Sequence, residues 1–387
     1  MAEETPKFCG GSEPLNLTRR LLVVLPGLLA AEGEVSLLRE AAPDLRRIAE
    51  SAHVVRLRAD SPEGIAEAAW LGLNPEQVSM PMGPLTVAGL GADPPERSVE
   101  FRLDLLNVDD LGIVNAHPGE LDAASLRVLR EAVSRLETPK LRWVDGFDRV
   151  HGLVWLQGSP DHETTPPDAA HEQSLPTVLP NGDQDYVLRR FIDDSVNLLS
   201  PLEFNNRRHD EGKPLINLAW PSGGGWRASL PNLMLRRGAP GRVGTRSLVT
   251  AGLARMVGYR AMDRNLLGNG FFFDSTLIAG DLARVPVSLL ELDFIRRARQ
   301  AGRYDPAGRT LHEQVDPLLA HWTTARDEES VSLAILALDA TGREGLGLFW
   351  DSERAMEENL PFDERVMDDG RVPEHTLWRW VDQFFAG

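Results

Sequence analysis

The first part of the chain alternates apolar segments with helical stripes. A fully apolar segment at residues 21–25 is followed by a helical pattern at 37–52, a short apolar segment at 54–57 and an Ala-rich helical stretch at 63–73. Strands that are apolar on both faces are typical of parallel sheets covered by helices. This order predicts an α/β fold with a doubly wound sheet.

The pattern changes after a Pro- and Gly-rich stretch at residues 75–96. Residues 99–105 alternate apolar and polar side chains, which predicts a half-exposed strand. An amphipathic helix at 122–137 and strands at 140–143 and 150–156 follow, and residues 159–183 have the composition of a long loop. We expect an inserted α+β domain at residues 96–180.

The remaining segments predict a return to the first domain. Helices are expected at residues 185–200, 246–257 and 289–298, and strands at 216–220 and 331–338. The runs Gly223–Gly225 and Gly268–Gly270 are more typical of turns than of phosphate-binding loops, because no Lys-Ser/Thr follows them. We therefore predict a discontinuous core at residues 1–95 and 181–387.

The C-terminal residues 373–385 predict an aromatic-rich helix that includes Trp378, Trp380 and Phe385. Such a face needs burial. Packing on the chain's own core is one interpretation, and docking onto a partner protein is the other.

Composition and charge restrict the classes of function. The chain has 387 residues and a net charge of -17, so a nucleic acid is not expected as its main partner. No apolar run has the length of a membrane span, and the single cysteine, Cys9, favours a reducing, cytoplasmic location. A local basic pocket for a small anion remains compatible with this charge.

The candidate chemistry begins at Asp339, which ends the apolar run at 331–338. An Asp at the C-terminal tip of a buried strand is well placed to bind a metal. Arg343 follows four residues later, and a guanidinium offers only hydrogen-bond donors. The segment therefore predicts the scaffold of a metal site without its chemistry.

Several segments, taken in order, resemble the cofactor-independent phosphoglycerate mutases of the archaeal type, which also occur in bacteria and belong to the alkaline phosphatase superfamily. The resemblance covers about residues 20–350. Its motifs are Glu40-Ala-Ala-Pro-Asp-Leu-Arg-Arg-Ile-Ala49, Ala69-Trp-Leu-Gly-Leu-Asn-Pro75, Val99-Glu-Phe-Arg-Leu-Asp-Leu105, Asn205-Asn-Arg-Arg208 with Gly212-Lys-Pro214 and Asn217, and Leu253-Ala-Arg-Met-Val-Gly-Tyr259. It implies an alkaline-phosphatase-like core with an inserted domain.

The resemblance also implies a nucleophilic Ser and two metal ions, which together move a phosphoryl group between the hydroxyls of a glycerate. In this chain Pro26 stands where the first Asp is expected, and Glu63 stands at the nucleophile position. Ser61 lies two residues away, and which of the two occupies the position is left open. The Asp-x-x-x-His pair corresponds to Asp339 and Arg343.

Other family positions differ or are only partly kept. Only Asp368, Asp369 and His375 are available for the later ligands, and Ser222 replaces a substrate-facing Arg. By the same resemblance, Arg102, His151 and Arg208 match anion-binding positions, because an Arg fork can bind two oxygens of a phosphate or carboxylate. Salt bridges across the domain interface are the alternative role for these arginines.

We therefore expect a catalytically degenerate phosphoglycerate-mutase-like protein that is kept for binding or regulation and has no metal cofactor. The alternative is an active isomerase or a related phosphotransfer or hydrolytic enzyme with displaced site residues, which would use Mn, Mg or Zn. Metal content separates the two hypotheses.

Overall fold

A computed structural model describes residues 18–30, 34–37, 43–61, 63–324, 330–351, 367 and 370–386. Cys9, the start of the first family motif at Glu40, and the candidate ligands Asp368 and Asp369 lie outside the described residues.

The larger of the sheets has eight strands in the order β11-β10-β12-β1-β13-β14-β2-β15. All of its strands run parallel except β14, which is antiparallel to both neighbours. The strands are β1 (Arg19–Pro26), β2 (His53–Arg58), β10 (Gly241–Gly244), β11 (Arg260–Ala261), β12 (Val287–Glu291), β13 (Val331–Leu338), β14 (Glu344–Asp351) and β15 (Glu374–Thr376).

The smaller sheet has five antiparallel strands, in the order β4-β3-β6-β5 with β9 on the other edge of β3. Its strands are β3 (Val99–Val108), β4 (Val114–Asn115), β5 (Leu141–Phe147), β6 (Val150–Trp155) and β9 (Leu218–Gly225). A two-stranded hairpin, β7 (His162–Glu163) and β8 (Asn181–Gly182), lies apart from it.

The α-helices cover both sheets. They are α1 (Pro43–Ala49), α2 (Ala66–Trp70), α3 (Met82–Gly89), α4 (Ala123–Ser134), α5 (Pro167–Ala170), α6 (Leu175–Val178), α7 (Asp185–Leu199), α8 (Glu203–Asp210), α9 (Leu233–Arg237), α10 (Leu248–Met256), α11 (Ser275–Leu282), α12 (Phe294–Gln300), α13 (Tyr304–Thr310), α14 (Asp316–Thr324) and α15 (Leu377–Ala386).

Strand β1 lies in the middle of the larger sheet and is apolar on both faces, as its sequence predicts. Leu21, Val23 and Leu25 belong to the hydrophobic cluster on one side, whereas Leu22 and Val24 belong to the cluster on the other side. Successive side chains of a strand point to opposite faces, so an unbroken apolar run fits a sheet covered twice.

Helix α3 connects the two sheets. It packs on β3 of the smaller sheet and on α10, which in turn packs on β10 and β11 of the larger sheet. A Cβ atom at Gly83 would lie 2.0 Å from the Glu100 carbonyl oxygen, and one at Gly252 would lie 2.1 Å from the Leu85 carbonyl oxygen. Only glycine permits backbones to approach so closely. Helix α3 therefore positions the smaller sheet over the larger one.

Three local predictions differ from the structure. Residues 289–298 were expected to form one helix, but β12 ends at Glu291 and α12 begins at Phe294. A short apolar run cannot be assigned to helix or strand by periodicity alone. The expected loop at 159–183 contains α5, α6 and the β7–β8 hairpin, and β9 continues through Gly223–Gly225 because it pairs with β3.

The predicted domain boundaries stay a prediction. Hydrogen bonding places β9 with the smaller sheet, although residues 218–225 lie in the interval expected for the core.

Candidate functional site

The carboxyl ends of the parallel strands β10, β12, β1 and β13 lie along one edge of the larger sheet, the usual location of ligand sites in such sheets. Pro26 is the last residue of β1 and pairs in register with Leu338 of β13. The Gly27 N–H donates to the Asp339 carbonyl oxygen at 3.0 Å. The carboxyl ends of β1 and β13, the two strands expected to contribute to the site, are therefore adjacent.

The Asp339 carboxylate is directed into its own turn. Its Oδ1 accepts hydrogen bonds from the backbone N–H groups of Arg343 and Glu344, at 3.0 and 3.2 Å, and its Oδ2 accepts one from the Thr341 hydroxyl at 2.6 Å. Asp side chains commonly stabilise turns in this way. The carboxylate therefore closes the β13–β14 hairpin.

The Arg343 side chain reaches from this hairpin to the loop that precedes α2. Its Nη1 donates to the carbonyl oxygens of Ser61 and Glu63, at 3.3 and 3.2 Å, and its Nη2 donates to the carbonyl oxygen of Gly64 at 2.7 Å. A guanidinium thus lies between the two segments that were predicted to supply a nucleophile and a ligand.

Ser61 and Glu63 belong to one short loop. The Glu63 N–H donates to the Ser61 hydroxyl oxygen at 3.1 Å, and the Glu63 side chain is exposed. Which of the two occupies the nucleophile position stays open.

Two further arginines surround the end of β1. The Arg299 Nε donates to the Gly27 carbonyl oxygen at 2.5 Å, and its Nη1 pairs with Glu34 at 2.8 Å. Arg296 lies one turn before Arg299 on α12. Its backbone is so close to Gly27 that a Cβ atom at this glycine would lie 2.9 Å from the Arg296 Cα. The Arg299 guanidinium and the Arg296 backbone therefore both lie against Gly27, the residue that follows the apolar Pro26.

No group of three or more His, Cys, Asp or Glu residues suited to a metal ion occurs among the described residues. His375, the remaining candidate ligand that is described, lies on β15, which pairs with β2 at the far edge of the sheet.

Sequence reasoning missed Glu291, which ends β12 at the same edge. Its side chain is buried, its Oε2 accepts a 2.5 Å hydrogen bond from the Thr245 hydroxyl, and its Oε1 lies 3.9 Å from the Arg296 Nη2. Burial raises the pKa of the Glu291 carboxyl to about 7, and the Thr245 and Thr250 hydroxyls oppose this only in part. An acidic residue at the end of a buried apolar run is the signal that identified Asp339. The same signal at Glu291 was missed because residues 289–298 were expected to form a helix.

The three candidate anion-binding residues lie in the smaller sheet or beside it, and the structure does not bring all of them together. Arg102 forms a two-pronged ion pair with Asp104, with both N–O distances at 2.7 Å. His151 pairs in register with Leu103, the neighbour of Arg102, so the two candidates point to opposite faces of the sheet.

His151 is fully buried, with its ring 5.4 Å from that of Trp143. Its Nδ1 accepts a hydrogen bond from the Gly146 N–H at 3.0 Å. Burial and, to a smaller extent, the charge of Arg130 lower its pKa to about 4, so the imidazole is neutral near pH 7.

Arg208 is also largely buried. Its Nε donates to the Pro214 carbonyl oxygen at 2.8 Å, its Nη1 donates to that of Glu120 at 3.0 Å, and its Nη2 donates to that of Pro118. The anion-binding role of Arg102, His151 and Arg208 stays a prediction, while each of the three already has protein partners.

The C-terminal helix α15 packs on the chain's own core through Phe385, which is buried. Trp378 and Trp380 are half-buried, and the Trp378 Nε1 donates to Asp60 at 3.0 Å. Docking of a partner protein on this helix stays a prediction.

A mostly parallel sheet covered on both faces, together with a smaller antiparallel sheet, defines an alkaline-phosphatase-like α/β protein with an additional cap, which confirms the predicted fold class. A cofactor-independent phosphoglycerate mutase from Thermoplasma acidophilum superposes with a TM-score of 0.61 at 20% identity, covering 96% of this chain and 100% of that one. A Pyrococcus horikoshii protein gives 0.70 at 14% identity, covering 95% and 97%.

The sequence comparisons find similarity to one family of enzymes. The model of the 2,3-bisphosphoglycerate-independent phosphoglycerate mutases matches residues 52–205. A probable mutase of this type from Geobacter sulfurreducens is 26% identical over 166 residues, which is 42% of each chain. One from Methanoculleus marisnigri is 24% identical over 241 residues, which is 59% of this chain and 55% of that one.

The chain is similar to the 2,3-bisphosphoglycerate-independent phosphoglycerate mutases, in sequence over part of its length and in fold over nearly all of it. Its match spans about half the length of these relatives. In the described part of the chain, none of the helices combines the length and the apolarity needed to cross a membrane.

Proposed function

We propose that this chain is a non-catalytic member of its family that serves as a binding or regulatory protein in the cytoplasm. The observation that supports this most directly is the position of Arg343. Its guanidinium binds the carbonyl oxygens of the loop at residues 61–64, beside the turn that Asp339 closes.

The argument against a two-metal centre here is electrostatic and steric. Tightly bound dications in proteins are held mainly by carboxylate, imidazole or thiolate side chains, and hard dications prefer oxygen. At this edge Pro26 offers no ligand atom, Asp339 uses its oxygens within the turn, and Arg343 contributes a permanent positive charge. The described residues therefore do not fit a family-type metal pair, and we derive no phosphoryl-transfer step through one.

Metal analysis and a single-turnover assay test the proposal together. The purified chain is incubated with manganese, magnesium or zinc, and its metal content is measured after removal of free ions. We expect less than one equivalent of tightly held metal and no conversion of 3-phosphoglycerate, with an active relative run in parallel to validate the assay. Two equivalents of metal per chain with manganese-dependent conversion would establish the alternative, an active isomerase with displaced site residues.

A second series of variants tests which residues prevent catalysis under this proposal. Arg343→His alone should not restore turnover, because Pro26 and Glu63 still lack the expected chemistry. Restoring metal binding should need several changes at once, including Pro26→Asp, Glu63→Ser and Arg343→His. Turnover by the Arg343→His single variant would contradict this account of the site.

A further inference from the structure

A cavity of about 480 Å³ lies between the larger sheet and the C-terminal helix α15, at the edge of the sheet where its central parallel strands begin. Arg20, near the start of β1, is one of its lining residues. Pro26 stands six positions further along this strand, which is about 20 Å at about 3.3 Å per residue. The cavity is therefore separate from the edge where a metal site was expected, and its volume suits a small ligand.

Strand register brings three polar side chains of this cavity into one row. Arg20 of β1 pairs with Ser332 of β13, which pairs in turn with Asp351 of β14. Residues aligned across neighbouring strands point to the same face of a sheet. This is the face that α15 covers, because Leu22, two residues after Arg20, belongs to the same hydrophobic cluster as Phe385. The floor of the cavity therefore carries a cation, a hydroxyl and a carboxylate.

The Arg20 guanidinium is only weakly bound by the protein. Within the described part of the chain it makes one hydrogen bond, from Nη1 to the Phe385 carbonyl oxygen at 3.4 Å. Burial lowers the pKa of Arg20, and the charge of Asp351 opposes this only in part. A guanidinium has five N–H donors, so most of those of Arg20 are left for a ligand in the cavity.

The other side of the cavity is aromatic. The rings of Trp380 and Phe384 on α15 are nearly parallel, with centroids 6.4 Å apart, and the Phe349 ring of β14 meets that of Phe384 edge-on at 5.9 Å. Trp380 and Phe349 are half-buried and line the cavity, whereas His53 and His375 form part of its exposed rim. Because aromatic rings associate by offset stacking and by edge-to-face contact, this wall suits a flat apolar ring.

We propose that this cavity binds a free aromatic amino acid. The carboxylate of the ligand pairs with the Arg20 fork, its ammonium group pairs with Asp351, and its ring packs against the aromatic wall. A ligand with both charges matches a row with both charges, whereas a simple aromatic acid would place a like charge beside Asp351. The inference goes beyond the function proposed above, because the site lies at the other edge of the sheet and does not depend on the loss of catalysis.

The test is isothermal titration of the full chain near neutral pH with three probes that share one carbon skeleton. They are L-phenylalanine, 3-phenylpropionate, which lacks the ammonium group, and phenethylamine, which lacks the carboxylate. The variants are Arg20→Gln and Asp351→Asn. The matched control is Arg19→Gln, because Arg19 is the neighbour of Arg20 on β1 and its side chain points to the opposite face of the sheet. Thermal unfolding of each variant verifies that it is folded.

We expect L-phenylalanine to bind the unmodified chain at millimolar concentration or below, and each of the other probes to bind about tenfold more weakly or worse, since each lacks one charged hydrogen bond. Arg20→Gln should raise the dissociation constant of L-phenylalanine about tenfold or more, and Arg19→Gln should leave it unchanged. Asp351→Asn should weaken L-phenylalanine but not 3-phenylpropionate, which has no ammonium group to lose. A general loss of structure would weaken both probes.

Three results would overturn the site: no binding of L-phenylalanine at millimolar concentration, unchanged affinity in Arg20→Gln, or 3-phenylpropionate that binds as tightly as L-phenylalanine. The last result would mean that the ligand is not an amino acid. Manganese-dependent turnover of 3-phosphoglycerate would refute the non-catalytic proposal and leave this site intact, so the two failures are distinguishable.

Discussion

Replacement of the buried Glu291 by glutamine should change how the stability of the protein depends on pH. Burial raises the pKa of this carboxyl from 4.5 to about 7. Between these pH values the folded chain holds a proton that the unfolded chain has released, so the free energy of unfolding falls as the pH rises. The stabilising effect of the proton is fully present below pH 4.5 and is lost as the pH passes through 7.

The size of the effect follows from the shift. A difference of about 2.5 pKa units, at about 1.4 kcal/mol each, amounts to about 3 kcal/mol. Glutamine is neutral at every pH, and its amide oxygen can still accept the hydrogen bond from Thr245. The stability of Glu291→Gln relative to the unmodified chain should therefore increase by about 3 kcal/mol between pH 4.5 and pH 8.

Urea denaturation followed by tryptophan fluorescence at four pH values between 4.5 and 8 measures this difference. The difference between the two proteins is used because the other carboxyl groups contribute equally to both. Glu313→Gln, at an exposed position, is the control and should leave the pH dependence unchanged. If the difference between Glu291→Gln and the unmodified chain stays constant across this range, the carboxyl ionises normally, as it would if Arg296 closed the 3.9 Å gap to form an ion pair.

Three further predictions concern side chains with assigned partners. Arg343→Ala should lower the free energy of unfolding by about 1–3 kcal/mol, because three carbonyl oxygens lose their donor; urea denaturation that shows no loss would contradict this. Arg208→Lys should cost about 2–4 kcal/mol in the same assay, since an ammonium cannot reach three divergent carbonyl groups. His151 should stay neutral from pH 5 to 8 in an NMR titration, because burial lowers its pKa to about 4, and a midpoint near 6.5 would show that the ring is hydrated.

The sequence by itself determined the features that depend on near neighbours. The apolar run of β1 identified a strand covered on both faces, and Asp122 with the stripe that follows it identified α4, where the Asp122 carboxylate accepts from the Ser125 N–H at 2.8 Å. Ordered motifs indicated the resemblance to the mutases, and Arg343 at the position where that resemblance implies a His was visible without coordinates. Each of these signals is a pattern of a few adjacent residues, which local geometry governs directly.

Only the tertiary structure decided how distant segments meet. The contact of Arg343 with Gly64 joins residues 279 positions apart, and no local pattern specifies such a partner. The register between β3 and β6 places Arg102 and His151 on opposite faces of the smaller sheet. A shift of that register by one residue would have placed both side chains on the same face. Glu291 became recognisable as the end of a strand only in the folded chain, because the burial of β12 on both faces of the sheet decides what its short apolar run leaves ambiguous.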